Sequence, residues 1–351
     1  MPDRMVAVPA TELITTEDQL EDLLSRPSEA DVDAARQFAG DLLVLGAGGK
    51  MGPSLVRRAA RAIRAVGTKA RVIAVARFSQ ATLREELGRD GVSTISADLL
   101  DARQVAALPD APNVIFMAGR KFGSTGDAPL TWAVNTWAPG LVAERFAGSR
   151  IVAFSTGNVY PFTPADSGGP TEETAPAPVG EYAQSALARE RIFEYFSVRY
   201  GTPVTVLRLN YAIDLRYGVL LDIGRKVFER RSVELTMGYV NVIWQADANS
   251  SCLRSFALCS SPAKILNLTG PETLAVRWIA GEFGRRFGID PVFEGAPAPS
   301  ALLSNAAECR RLLGEPKMKP AEMIDLVAHW IQIGGKTWDK PTHFEARDGK
   351  Y

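Results

Sequence analysis

Histidine is nearly missing from this chain: 351 residues hold two, His329 and His343. Metal centres built from several histidines are thereby all but excluded. The three cysteines, Cys252, Cys259 and Cys309, form neither a paired disulfide framework nor a metal-ligand spacing, which fits a reducing compartment. Net charge is also missing, with 40 basic residues against 40 acidic ones, so no global field recruits nucleic acid or an anionic membrane. No apolar run reaches the roughly 18 residues of a membrane span. The N-terminus lacks the basic region and apolar core of a secretory signal. A cytoplasmic protein is expected. What is present is ordinary in composition, 46% hydrophobic and 23% charged, and long enough for a large core divided between two lobes.

One stretch stands out. Leu42, Leu43, Val44 and Leu45 form an apolar run that breaks into Gly46, Ala47, Gly48, Gly49, Lys50, Met51 and Gly52, then reopens as a helix through Ser54, Leu55 and Val56. A buried strand that ends in glycines lets the backbone approach a phosphate closely, and the positive end of the next helix favours the anion. A second apolar run, 71–77, follows that helix, the context a dinucleotide site requires. A plain connecting turn is the alternative reading. Cofactor contacts are expected from Gly46, Gly48, Gly49, Lys50, Met51 and Gly52.

Strand patterns at 41–46, 71–77, 91–96, 112–118 and 150–155 alternate with helical ones. That alternation predicts an α/β fold: a Rossmann-type doubly wound parallel sheet, with ligands outside the carboxyl ends of its strands. Arg77 follows the second strand, where an acidic residue would grip the ribose of NAD and an arginine pairs with the 2′-phosphate of NADP. NADP or NAD is therefore expected, the arginine leaning towards NADP, although a solvated arginine fits the same position. Asp98, next to Leu99, could accept from the adenine amino group or cap a helix. Ala118 and Gly119 are small where backbone passes the cofactor; Arg120 and Lys121 follow at the mouth of the site. Asn135 lies in a largely apolar helical stretch, 131–146, and either braces the site or faces solvent. Ser155 and Thr156 end the strand at 150–155. Residues 161–180, rich in Pro, Gly and Thr, read as a loop able to cover a substrate, and a helix begins near Tyr182.

Together these residues resemble the extended short-chain dehydrogenase/reductase family, its NAD-dependent epimerase/dehydratase group, over roughly 40–335. Gly46, Gly49 and Gly52 match its glycine turn, with Leu45 in place of a threonine. Asp98 matches the adenine-site carboxylate, Ala118 and Gly119 the small-residue turn, and Asn135 the central-helix asparagine. The resemblance puts the catalytic Ser/Thr role on Thr156 and the catalytic tyrosine on Tyr182, followed by Ser185. It implies hydride transfer on a sugar or nucleotide-sugar. It also implies a homodimer through the helices at 131–148 and 182–200.

The chain departs from that pattern at Ala186. The family has a lysine four residues after the tyrosine, one helical turn on the same face, where its ammonium lets the phenol act as base. An unassisted tyrosine has a pKa of about 10 and is a poor base at neutral pH. Three readings follow. Another cation substitutes, with Lys121 the candidate and Arg189 second; or Tyr182 works as a neutral acid or orienting donor; or the chain binds cofactor as a catalytically altered sensor or subunit. The remaining expectations concern organisation: a helical extension at 1–40, with a capping box at Thr16–Gln19 and a second helix capped by Ser28; the dinucleotide-binding domain at 41–210; a smaller mixed α/β substrate lobe at 211–335, with a helix around 301–313; and a tail at 336–351. Tyr160, Asn210, Tyr211, Asp214 and Arg216 are the candidate substrate contacts, Cys252 and Cys259 share a helical face, and His343 and Arg347 lie in a polar tail.

Overall fold

The computed structural model describes residues 14–79, 81–124 and 126–350. Seven parallel strands form one sheet: β1 (Leu42–Leu45), β2 (Val72–Ala76), β3 (Ser93–Ser96), β4 (Asn113–Phe116), β5 (Arg150–Thr156), β6 (Val204–Leu209) and β7 (Lys264–Leu268), in the order 3-2-1-4-5-6-7. The order reverses between β1 and β4, which are direct neighbours, with Leu45 beside Phe116. A crevice must open there, outside the carboxyl ends of both strands. Every residue of β1 and β4 is buried, as expected for a sheet covered on both faces.

Each face has its own core. On one side α3 (Gly52–Val66) lays Leu55, Ala59, Ala62 and Ile63 against Leu42 and Val44. On the other, Phe116, Val142, Phe146 and Phe193 pack together. Phe116 belongs to β4, and the others come from α7 (Ala138–Arg145), its following residue and α8 (Gly180–Tyr200). The segment entering α7 begins as α6 (Ala128–Trp132) and passes through a π-turn, Ala133–Trp137.

The N-terminal extension is built by its caps. Thr16 and Gln19 form a capping box for α1 (Glu17–Ser25), and Ser28 and Asp31 form another for α2 (Glu29–Arg36). Leu20 and Leu24 enter the core of the second lobe, whereas Ala35 and Phe38 enter a core of the sheet. Asp31, fully buried, pairs with Arg58 of α3 at 2.8 Å and accepts from Ser250 at 2.6 Å.

The second lobe centres on α9 (Val219–Phe228), α11 (Val276–Phe287) and α13 (Pro320–Gln332), around Val227, Ile279, Phe283, Val327 and Trp330. Two sequence expectations need correction here. The helix of Cys252, α10 (Gln245–Arg254), gives way to a 3-10 turn, Ser255–Leu258, which takes Cys259 off its face. Cys259 instead donates to the Ile151 carbonyl at 3.5 Å. The helix expected at 301–313 is α12, confined to Ala307–Leu313, because Ser300–Ala301 pairs as a strand with Thr163–Pro164. That pairing also draws the 161–180 loop towards the second lobe, where Pro170 accepts from Asn305 and Asn267. The 336–350 tail is docked rather than loose: Phe344 is 2% exposed, and Arg347 donates to Ser300 and lies over the Phe162 ring.

Candidate active site

The glycine turn is shaped by contact, not by freedom alone. Gly46 has φ +92°, and a Cβ there would lie 2.5 Å from the backbone nitrogen of Ala118. A Cβ on Gly52 would lie 2.2 Å from the Ala47 carbonyl oxygen. The first glycine lets the turns after β1 and β4 touch; the second lets α3 start directly against its own turn. Met51, at the head of α3, provides no side-chain cap; the Gly52 N–H is taken by the Gly49 carbonyl and Pro53 has none, so the positive end of the helix, more than a row of open donors, favours an anion there.

Around this turn lies a cleft of about 460 Å³. Gly46, Gly48, Gly49, Arg77, Asp98, Leu99, Ala118 and Gly119 line it. Arg77 is exposed at its edge and pairs with no carboxylate among the described residues. Asp98 uses one oxygen to accept the Leu100 N–H at 3.0 Å. Lys340, from the C-terminal tail, joins the wall. Nothing in the local sequence signalled that residue, since a tail without periodicity gives no hint of where it docks.

A second cavity, about 180 Å³, abuts the same turn and contains Lys50, Met51, Lys121, Thr156, Tyr182, Asn210 and Tyr211 in its walls. Tyr217 and Thr342 complete it, and sequence reasoning missed both. Thr156 shares hydrogen bonds with Asn158, donating to Oδ1 at 3.0 Å and accepting the N–H at 3.2 Å. Lys121 Nζ lies 6.0 Å from the Tyr182 ring centre and donates to the Thr342 carbonyl at 3.3 Å. Lys50 is part of the turn, but its side chain leaves it: Nζ donates to the Ala212 carbonyl at 2.5 Å and sits 4.6 Å from the Tyr217 ring centre. Desolvation pulls both ammoniums down to about 8. For Lys50 the charges of Arg216 and Lys121 add to that effect, while Asp214 and Asp222 oppose it.

Behind Tyr182, Ala186 is fully buried against Val159 and Tyr160, and a hydrogen-bond network lies nearby. Asn135, in the π-turn, is fully buried. Its Oδ1 accepts from the Arg120 N–H and from Arg189, both at 2.8 Å. Its Nδ2 donates to the Arg120 carbonyl at 2.9 Å and to Ser185 Oγ at 3.0 Å. Arg189 also donates to the backbone oxygens of Asn135 and Phe154, at 3.3 and 2.8 Å. Its guanidinium is drawn down by burial and held up by the Tyr182 and Glu190 charges. Asn135 therefore braces the loop that carries Lys121.

Four proposed contacts are placed differently. Ser155 borders the cavity, but its hydroxyl donates to the buried Glu190 at 2.5 Å. Tyr160 is 2% exposed and its hydroxyl is taken by Asn267 at 2.8 Å and Arg208 at 2.7 Å, so it belongs to a buried network with Glu190. Arg216 grips Asp214 with two nitrogens, at 3.1 and 2.7 Å, and reaches Glu21 at 2.7 Å. It ties α1 to the second lobe rather than facing substrate, and Asp214 goes with it.

No described helix is long and apolar enough to cross a membrane. No curated protein matches the chain. Solved structures do. The UDP-glucose 4-epimerase of Thermotoga maritima, with UDP-glucose, is 18% identical over 83% of this chain and 98% of its own, with a TM-score of 0.67. That of Thermus thermophilus, in complex with NAD, is 20% identical over 83% and 99%, also at 0.67. The UDP-Glc/GlcNAc 4-epimerase of Campylobacter jejuni is 19% identical over 83% and 98%, again at 0.67. These likenesses establish the fold over both lobes. Residues 42–212, from β1 to just past β6, match the NAD dependent epimerase/dehydratase family.

Proposed function

We propose that this protein is an NAD(P)-dependent epimerase, dehydratase or reductase that acts on a sugar or sugar derivative. The observation carrying the proposal is that Tyr182, Thr156 and Lys121 share one cavity, against a glycine turn whose shape fits a dinucleotide. Gly46, Gly48, Gly49 and the head of α3 would hold the pyrophosphate; Asp98 and Leu99 border the adenine end. The family's nicotinamide, when bound, accepts and returns a hydride at the carbon being worked on. Thr156 exchanges its bond to Asn158 for one to the reacting oxygen, Tyr182 carries the proton, and Lys121 supplies the charge that Ala186 cannot. Asn210 and Tyr211 orient the sugar. Arg77 and Lys340, two cations on one cleft, support NADP over NAD.

The fold's neighbours include proteins solved with UDP-glucose and with NAD, in agreement with this class of substrate and cofactor. Trp132, Trp137, Tyr195, Val198 and Tyr200 are exposed on the 128–145 segment and α8, which supports a homodimer through those helices. Three free cysteines suit a cytoplasmic location. The test is Lys121→Ala, followed by nicotinamide absorbance against a panel of sugars and sugar acids. Turnover is expected to fall at least tenfold with cofactor affinity retained; unchanged turnover removes Lys121 from the mechanism. Ala186 favours a second reading, a cofactor-binding sensor or subunit without chemistry. Measurable cofactor binding with no absorbance change on any substrate would select it.

A further inference from the structure

The cavity beside Tyr182 is more cationic than recognition of a neutral sugar needs. Lys50 enters from the glycine turn and Lys121 from the loop after β4, so two ammoniums from different elements line one space. Among the described residues no carboxylate lies within ion-pair distance of Lys50; its ammonium meets the Ala212 carbonyl and the Tyr217 ring. The carboxylates whose charge reaches it are engaged elsewhere. Asp214 takes both prongs of Arg216. Asp222 accepts from the Thr342 N–H at 2.7 Å and its hydroxyl at 2.5 Å. A half-buried ammonium without an ion partner is costly, and an incoming anion relieves that cost. The cofactor's phosphates are not that anion, because the Lys50 side chain lines the cavity and not the neighbouring cleft.

Size narrows the choice. At about 180 Å³ the space falls below the roughly 300–1,000 Å³ of clefts that enclose drug-sized ligands. It accommodates one sugar ring with its substituents. The Thr342 backbone, fixed by Asp222 and bonded by Lys121, closes one wall.

We infer that the substrate is a free, monosaccharide-sized anion, a sugar carboxylate or sugar phosphate whose charged group sits between Lys50 and Lys121, and not a sugar joined to a nucleotide diphosphate. The inference rests on the hydride-transfer reading above and narrows it. Neighbouring folds solved with UDP-glucose thus share the architecture while this cavity selects a smaller, charged ligand.

The experiment is calorimetry on the full chain. Cofactor affinity is measured first with NAD⁺ and NADP⁺. The protein saturated with whichever binds is then titrated with glucose, glucuronate, galacturonate, gluconate, glucose 1-phosphate, glucose 6-phosphate and UDP-glucose. At least one acid or phosphate is expected to bind ten times or more tightly than glucose, and more tightly than UDP-glucose; which one separates carboxylate from phosphate. Lys50→Gln should erase that preference. A pH series on the unmodified protein provides the same readout without a substitution. Affinity for the anion should fall as the lysines lose their protons, with Tyr182, Tyr217, Asp214, Asp222 and Arg216 the other titratable or charged groups close by. Affinity for glucose should stay level. Equal binding of glucose and the acids, UDP-glucose binding best, or no anion binding at all would overturn the inference while leaving the cofactor reading intact. Failure to bind either dinucleotide removes both.

Discussion

Ala186 and Arg189 illustrate what one residue can and cannot replace. The alanine, packed against Val159 and Tyr160, places no cation one turn after Tyr182. Arg189, a further turn along, fills the neighbouring volume with a guanidinium held by Asn135 and Phe154. Those bonds fix its position, so it serves the brace more than it serves the phenol. The mobile charge falls to the lysines, and Lys50 offers a direct check on how desolvated the cavity is. Its ordinary pKa of 10.5 drops to about 8 in the folded protein. Below pH 8 folded and unfolded chains both carry the proton, and the folded state bears the full desolvation cost. Between 8 and 10.5 the folded state releases its proton first, the unfolded chain binds more protons, and stability rises with pH. Lys50→Met keeps the stem and deletes this term. It should therefore stabilise the ligand-free protein at pH 7, by about 1–3 kcal/mol once residual solvent screening is allowed for. Thermal unfolding of both proteins at pH 7, 9 and 10 should show the gap narrowing. A gap that is constant with pH would mean that the ammonium is not desolvated.

At the scale of elements, the parts legible in the sequence were those with short-range signatures. The apolar run 42–45 and the glycines after it placed β1, its turn and α3, and the capping boxes at Thr16 and Ser28 placed α1 and α2. Long-range pairings left no such trace. Nothing near Tyr160 announces Arg208 and Asn267 as its partners, and nothing near Arg216 announces Glu21; both side chains looked available because their neighbours in space are far away in sequence. The 301–313 stretch read as helix because its residues permit one, and the pairing of Ser300–Ala301 with Thr163–Pro164 overrode that preference. The extension's role is likewise set by a distant bond. Asp31 carries the Arg58 ion pair in a buried site, with its carboxyl held below the usual range chiefly by Arg58 against the opposing effect of burial. Removing one partner of such a pair strands the other charge, typically at about 3–5 kcal/mol. Asp31→Ala should lose that much in urea unfolding. Because the depressed carboxyl contributes above its unfolded pKa and loses its contribution as pH falls through the folded value, the difference from wild type should shrink in acid. A loss under about 1 kcal/mol at pH 7 would place the pair among surface-like contacts.

For the molecule as a whole, the tail after α13 connects what the sheet and second lobe build separately. Lys340 borders the cofactor cleft and Thr342 the substrate cavity, only two residues apart. Phe344 and Arg347 anchor the segment to the second lobe. One short stretch of irregular backbone is thus a wall of both sites, and Phe344 is its buried apolar anchor beside the polar contacts of Thr342 and Arg347. Replacing a buried phenylalanine with alanine costs about 3–5 kcal/mol, enough to loosen the segment. Phe344→Ala should therefore release the tail while the sheet, whose cores lie elsewhere, stays folded. Trypsin should cut at Lys336 and Arg347 at least ten times faster than in the unmodified protein. Affinity for the dinucleotide should weaken along with that for the substrate, since both lose a wall together. Faster cleavage with both affinities intact would mean that the tail lies beside the sites without shaping them. An unchanged cleavage rate would shift the anchoring role from Phe344 to Arg347 and the Thr342–Asp222 bonds.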